Sequence, residues 1–272
     1  YVADSDWENN WREYYKPIEV GERLVVVPEW EEIPAGGRVP LRLDPGLIFG
    51  TGSHATTRMC LEALEQTVTD GAKVLDLGCG MGRLIPRFAA LTGHVVALEP
   101  DEGRCREARA LVENHGIHNA EVFDIYCSDY LRLRPEDRFD IVLCSHIFQH
   151  FSHDTMDGIL RDLQKCTKDS SVLIITTTHT DAEENEYNSE SFCAGERQVA
   201  VLDLAGFEDA VRTDNVLAVC LFSRPWMESK LSSFGFPVAE FAAYHFQGET
   251  DAGRDEGNNR LPEKLRLARD AM

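Results

Sequence analysis

From residue 73 the chain alternates short apolar runs with segments whose apolar residues return every three or four positions. The runs KVLDL, VVALE, AEVFDIYC, FDIVLCS and SVLIITTT predict strands, and EGRCREARALVENH and TMDGILRDLQKCT predict helices. Such alternation builds a parallel sheet covered by helices on both faces. Upstream, RLVVVPEW reads as a strand and RMCLEALEQTV as a helix, with Met59, Leu61, Leu64 and Val68 on one side. Trp7, Trp11 and Tyr14 fall on one face of a short helix that Pro17 would end. After residue 180 the order breaks. A polar, acidic stretch leads into a helix around VAVLDLAGFEDAV, and two strand candidates, VLAVCLFS and VAEFAAYHF, flank a helix around WMESKLSSFGF. Residues 248–260 are polar, and LPEKLRLARDAM reads as a terminal helix. No internal repeat is visible.

The glycines give this pattern a chemistry. In VLDLGCGMGR a strand runs into Gly78-x-Gly80-x-Gly82 and then a helix. Glycine suits a sharp turn whose backbone must approach a ligand closely, and amides at the following helix start can hold an anion. The G-x-G-x-G spacing, with Asp76 on the strand before it, differs from the G-x-G-x-x-G of dinucleotide folds. Glu99 ends the next strand, 21 residues after Gly78, where an acid accepts hydrogen bonds from ribose hydroxyls. Asp129, placed at the carboxyl end of the third strand, is the candidate for an adenine amino group, with Asp124 and Ser128 as competitors. The fourth strand is followed by Ser145-His146-Ile147-Phe148-Gln149-His150. Ligand chemistry in open α/β sheets gathers there.

Turn, ribose acid and adenine-side residue, in this order on successive strands, resemble the class I methyltransferases that use S-adenosylmethionine (SAM). The resemblance covers roughly residues 54–247. It implies a Rossmann-like, doubly wound α/β fold with a seven-stranded sheet, an antiparallel last strand and helices on both faces. It also implies an inserted lid near 181–215, an N-terminal extension and cofactor-covering loop over 1–53, and a polar tail over 248–272. A second resemblance, over about residues 6–99, lies in DWENNWREYYKP and LDPGLIFGTGSHATTRMCLEAL. These segments look like the ribosomal-protein lysine methyltransferases, the PrmA family. That likeness implies that Phe49 packs near SAM and that Thr57 binds its amino-acid end. It assigns Thr51 and His54 to shaping the loop. The chain departs from the family after the fourth strand, where an Asn-led segment that orients the substrate amine gives way to Ser145–His150. The family's N-terminal substrate-recognition domain is also not contained in these residues.

An amine or hydroxyl acceptor must lose a proton during methyl transfer, work for a histidine or a carboxylate. His146 and His150 are the candidates, with Ser145 beside the cofactor. His153 completes an H-x3-H-x2-H spacing, but no carboxylate or cysteine partner points to a metal. Tyr187, Tyr244 and His245 are candidate substrate-side residues.

Composition narrows the partners. With 27 basic and 47 acidic residues the net charge is −20, which repels phosphate backbones and counts against nucleic acid. It suits a basic protein, an amine or a neutral small molecule. The eight scattered cysteines read as reduced core residues of a cytoplasmic protein. No run approaches the roughly 20 apolar residues of a membrane span, and no charged-then-apolar leader is seen. The expectation is therefore a SAM-dependent methyltransferase acting on N or O of an acceptor. A small molecule is placed slightly ahead of a protein lysine or N-terminal amine. A SAM-binding partner or sensor without catalysis, and a nicotinamide-dependent oxidoreductase, are the readings from other classes. Oligomeric state is not legible.

Overall fold

A computed structural model describes residues 16–28, 30–34, 36–43, 55–69, 71–193 and 196–241 of the chain. These fall into two compact units, residues 67–239 and, separately, residues 1–66 with 240–272.

In the smaller unit, β1 (Ile18–Val20) pairs antiparallel with β2 (Leu24–Pro28), which pairs parallel with β3 (Val39–Leu43). Every residue of β2 is buried, as its unbroken apolar run predicts. Helix α1 (Ala55–Thr67) follows, and Leu61 and Leu64 are buried as its spacing requires. The Glu65 carboxylate caps the β1–β2 turn by accepting from the amides of Glu22 and Arg23. The turn passes so close to that carboxylate that Gly21, at φ +56°, has no room for a Cβ.

The larger unit is the α/β layer structure. Its strands are β4 (Lys73–Leu77), β5 (His94–Leu98), β6 (Ala120–Phe123), β7 (Phe139–Ser145) and β8 (Thr167–Thr176). They stand in the order β6-β5-β4-β7-β8, with every pair parallel. The connecting helices are α2 (Ile85–Leu91), α3 (Glu102–Asn114), α4 (Cys127–Leu133) and α5 (His153–Cys166). The central strands are buried on both faces. On one face Leu75, Leu77, Val96, Leu98, Val142 and Cys144 join Tyr130 of α4 and Met156, Leu160 and Leu163 of α5 in one core. Because the chain winds from β4 out to β6 and then returns to β7, the carboxyl ends of β4 and β7 border the crevice where such sheets bind ligands.

The strands after residue 176 do not extend this sheet to seven among the described residues. Instead β9 (His179–Thr180), β10 (Glu186–Cys193), β11 (Glu196–Leu202) and β12 (Val216–Ser223) form a second sheet in the order β11-β10-β12-β9. The last of them, β12, runs parallel to β9 and antiparallel to β10. The antiparallel last strand expected for the main sheet is not found among the described residues. The β10–β11 hairpin pairs Tyr187–Cys193 with Glu196–Leu202 and is formed from the polar segment expected as a lid. Helices α6 (Leu204–Ala210) and α7 (Arg224–Ser233) flank β12. Residues 238–241 of the last strand candidate carry no strand, and the rest of it lies outside the described residues, as do Tyr244, His245 and the terminal helix.

The third strand is shorter than AEVFDIYC. It stops at Phe123, because Asp124 turns out to pair with Arg109 of α3 at 3.0 Å and Cys127 opens α4. Cys60, Cys105, Cys127, Cys144, Cys166 and Cys220 are buried thiols, as their apolar settings predicted, and Cys79 is half-buried. No helix among the described residues is long and apolar enough to cross a membrane.

Candidate functional site

The three glycines of the turn each answer a different demand. All have φ in the left-handed region, +73°, +57° and +77° for Gly78, Gly80 and Gly82. At Gly78 a Cβ would meet Ile147 Cγ2 at 2.5 Å, so the glycine lets the turn after β4 touch the segment after β7. At Gly82 a Cβ would meet the Cβ of Ala108 at 2.9 Å, so α3 packs directly on the turn. At Gly80 no atom of the described residues lies within 4 Å of where a Cβ would stand. Leu98 O accepts from the amides of Gly78 and Cys79 at 2.8 and 3.1 Å, fastening the turn to the end of β5.

The register carries Glu99 to the same place, since Leu77 pairs with Leu98. Glu99 is buried, and its Oε2 accepts from Gly80 N at 2.9 Å. Its Oε1 accepts from Asp101 N at 3.0 Å and pairs with Arg104 at 3.2 Å. Oε2, with Gly80 as its one donor, keeps a second lone pair, so a hydroxyl donor can still be accommodated there. Asp76, one strand away, is buried, and its Oδ2 has no hydrogen-bond partner among the described residues. Burial, with the Glu99 charge second, pushes its pKa up to about 7. A buried acceptor with nothing to accept from calls for a donor or a cation. The donor set fits SAM: Asp76 suits an ammonium, Glu99 suits vicinal hydroxyls, and the turn offers backbone amides.

Asp129 is not at a strand end. It sits in the first turn of α4, where an acid favours the helix dipole, and pairs with Arg132 at 2.6 Å. Its competitor Asp124 is exposed and held by Arg109. Phe49, Thr51 and His54 lie outside the described residues, and so does the Trp7–Trp11–Tyr14 face. Thr57 falls in α1, but its side chain lies outside them.

The segment after β7 is built tightly. Ser145 Oγ bonds Thr176 Oγ1 across β7 and β8 at 3.0 Å. His146 takes φ +53°, a left-handed value for a non-glycine, held by its amide donating to Thr176 O at 2.8 Å. A 3-10 turn, Phe148–His150, then leads into α5, with Phe148 buried beneath it. Gln149 is buried, bonding Thr177 Oγ1 at 3.0 Å and His146 Nδ1 at 3.2 Å. His150 Nδ1 bonds the carbonyl of Ala218 on β12 at 2.8 Å. The three histidines of the H-x3-H-x2-H spacing therefore have three different sets of partners. His153 packs among the rings of Trp226, Tyr187 and Phe207 at centroid distances of 4.8, 6.0 and 6.3 Å. Tyr187 thus serves this aromatic cluster, in contact with Phe207 at 5.1 Å.

Sequence reasoning missed Ile147, Gln149, Arg104 and Thr177. Gln149 had one visible signal, an amide three residues after a histidine in a polar-apolar mix.

A five-stranded parallel sheet of this order, with a glycine turn after its central strand and an acid after the next, defines a class I methyltransferase domain, whose cofactor is SAM. The sequence model of "Ribosomal protein L11 methyltransferase (PrmA)" matches residues 1–189, and the chain belongs to that family. A ribosomal protein L11 methyltransferase of Caldanaerobacter subterraneus subsp. tengcongensis is 44% identical over 133 residues, 48% of this chain and 42% of that protein. One from Caldicellulosiruptor bescii is 36% identical over 175 residues, 64% of this chain and 54% of that protein. The chain thus spans about half the length of these curated relatives. Among solved structures, the ribosomal protein L11 methylase of Lactobacillus delbrueckii subsp. bulgaricus has a TM-score of 0.46 at 22% identity, covering 60% of this chain and 79% of its own. The 1,6-didemethyltoxoflavin-N1-methyltransferase of Burkholderia thailandensis has 0.49 at 19%, covering 68% and 67%.

Proposed function

We propose that the chain transfers the methyl group of SAM to a nitrogen of a protein acceptor. The observation that carries this reading is the family match over residues 1–189, which spans both the upstream segment and the glycine turn. The net charge of −20 supports it, since an acidic surface attracts a basic protein. The protein acceptor thereby moves ahead of the small molecule favoured by the sequence alone.

When bound, SAM supplies a methyl group on a sulfonium that is already a good leaving group. The chain's own residues bind and orient. The turn Gly78–Gly82 and Asp76 would hold the amino-acid end, and Glu99 the ribose. The side chains at the carboxyl end of β7 would receive the acceptor, where His146 or His150 handles the amine proton. Alignment of nucleophile and methyl carbon supplies much of the rate. Ser145, Asp129, Phe49, Thr51 and Thr57 remain proposed members of the cofactor site.

A small-molecule acceptor is the second reading, favoured by Ser145–His150 standing where the family has its Asn-led segment. Incubation with methyl-labelled SAM and either purified ribosomal protein L11 or a small-metabolite extract separates the two. Label in the protein supports the proposal. Label confined to small molecules, with protein unlabelled, overturns it.

A further inference from the structure

The two candidate histidines stand four residues apart, yet their partners impose opposite proton placements. The Thr177 hydroxyl donates to Gln149 Oε1 at 3.0 Å, and the amide nitrogen of Gln149 faces His146 Nδ1 at 3.2 Å. An amide nitrogen has only hydrogens to offer, so Nδ1 of His146 accepts, and the neutral ring carries its hydrogen on Nε2. At His150 the partner is a backbone carbonyl, Ala218 O at 2.8 Å, which can only accept. Nδ1 of His150 therefore carries the hydrogen, and its Nε2 holds a lone pair. The backbone invests in the arrangement too. His146 sits at φ +53°, a conformation that costs a non-glycine residue free energy and persists where the surroundings impose it.

We infer that Gln149 and Thr177 are positioning residues that make His146 a hydrogen-bond donor, leaving His150 as the proton acceptor of the site. This rests on the proposed methyl transfer at the carboxyl end of β7. As the nitrogen–carbon bond forms, the carbon–sulfur bond breaks and its electron pair leaves with sulfur. The resulting ammonium gives one proton to Nε2 of His150, which becomes an imidazolium and later releases it to water.

The test is the tautomer itself. The full chain with 15N-labelled histidine is observed by long-range proton–nitrogen correlation at about pH 8, above the ordinary histidine pKa. His146→Asn and His150→Asn assign the signals. The expected result is hydrogen on Nε2 of His146 and on Nδ1 of His150; a shared or reversed placement overturns the inference. Gln149→Glu places a carboxylate, which only accepts, against Nδ1, and is expected to move the His146 hydrogen there. With ribosomal protein L11 as acceptor, kcat then falls by about tenfold or more while the Kd of SAM stays unchanged. An unmoved tautomer with unchanged kcat contradicts it. Thr177→Val frees the amide to rotate and gives a mixture of tautomers, and Thr177→Ser restores the single form. The wild-type spectrum decides even if a variant fails to fold. Failure of SAM to bind would strike the proposed function alone and leave the tautomer result standing.

Discussion

Gly80 donates its backbone N–H to Glu99 Oε2 at 2.9 Å, joining the glycine turn to the acid at the end of the neighbouring strand. The bond means that Glu99 has a structural as well as a ligand role, and the two separate by substitution. Glu99→Gln keeps an oxygen acceptor for Gly80, whereas Glu99→Ala removes it. The expected loss of SAM affinity is about tenfold for Gln and about a hundredfold for Ala, since hydrogen bonds to a charged group are the stronger. Calorimetric titration of each variant measures it, and equal losses would contradict the distinction.

Gly78 and Gly80 share a backbone region but differ in surroundings, so alanine should separate strain from collision. Gly80→Ala meets no atom of the described residues and costs about 1 kcal/mol for its left-handed φ. Gly78→Ala also collides with Ile147 and is expected to cost roughly 3 kcal/mol. Ile147→Ala should cost less in the Gly78→Ala background than in the wild type, because it relieves the collision, a coupling that a double-mutant cycle in urea detects.

Asp76 makes stability depend on pH in a defined direction. Its pKa of about 7 in the fold lies above the ordinary aspartate value of 3.8, so between these values the native state holds a proton that the unfolded state has lost. This contribution therefore favours the fold at acid pH and is lost as pH rises from about 4 to about 7. Asp76→Asn should remove that slope and raise Tm at pH 8 in the absence of SAM. A cationic group beside Asp76 favours its ionised form, so SAM affinity in the wild type should rise with pH up to about 7 and flatten in the variant.

His153 predicts the opposite slope. Burial among Trp226, Tyr187 and Phe207 pulls its pKa below the usual value, and the Lys230 charge adds to this. The facing acids Glu208, Asp157 and Asp154 oppose the shift without reversing it. The unfolded state therefore takes up a proton first as pH falls below about 6.5, and stability declines there. His153→Phe keeps the ring packing and should flatten the acid limb of the Tm–pH curve. An unchanged limb would exclude His153 as its source.

The parts of the fold most legible in the sequence were those in which local pattern and tertiary setting agree. Strands β4, β5 and β7 are apolar because both faces are covered, and their runs mark them almost to the residue. The glycines of the turn and Glu99 were legible because their backbone and spacing demands are specific. Asp129 was placed at a strand end because a strand reading of AEVFDIYC ran past Phe123, where Asp124 pairs with Arg109 and the strand stops. The second sheet was hidden because strand order depends on contacts distant in sequence, such as Phe222 with His179, which periodicity does not encode. The Thr177–Gln149–His146 chain was hidden for the same reason, since it joins segments 28 residues apart.

The most direct test of the central claim is calorimetric titration of the chain with SAM and with S-adenosylhomocysteine. The account predicts saturable one-to-one binding of both, weakened in Glu99→Ala. No heat from either ligand with the folded chain, or wild type and Glu99→Ala binding alike, would contradict the assignment of Gly78–Gly82 and Glu99 as a SAM site.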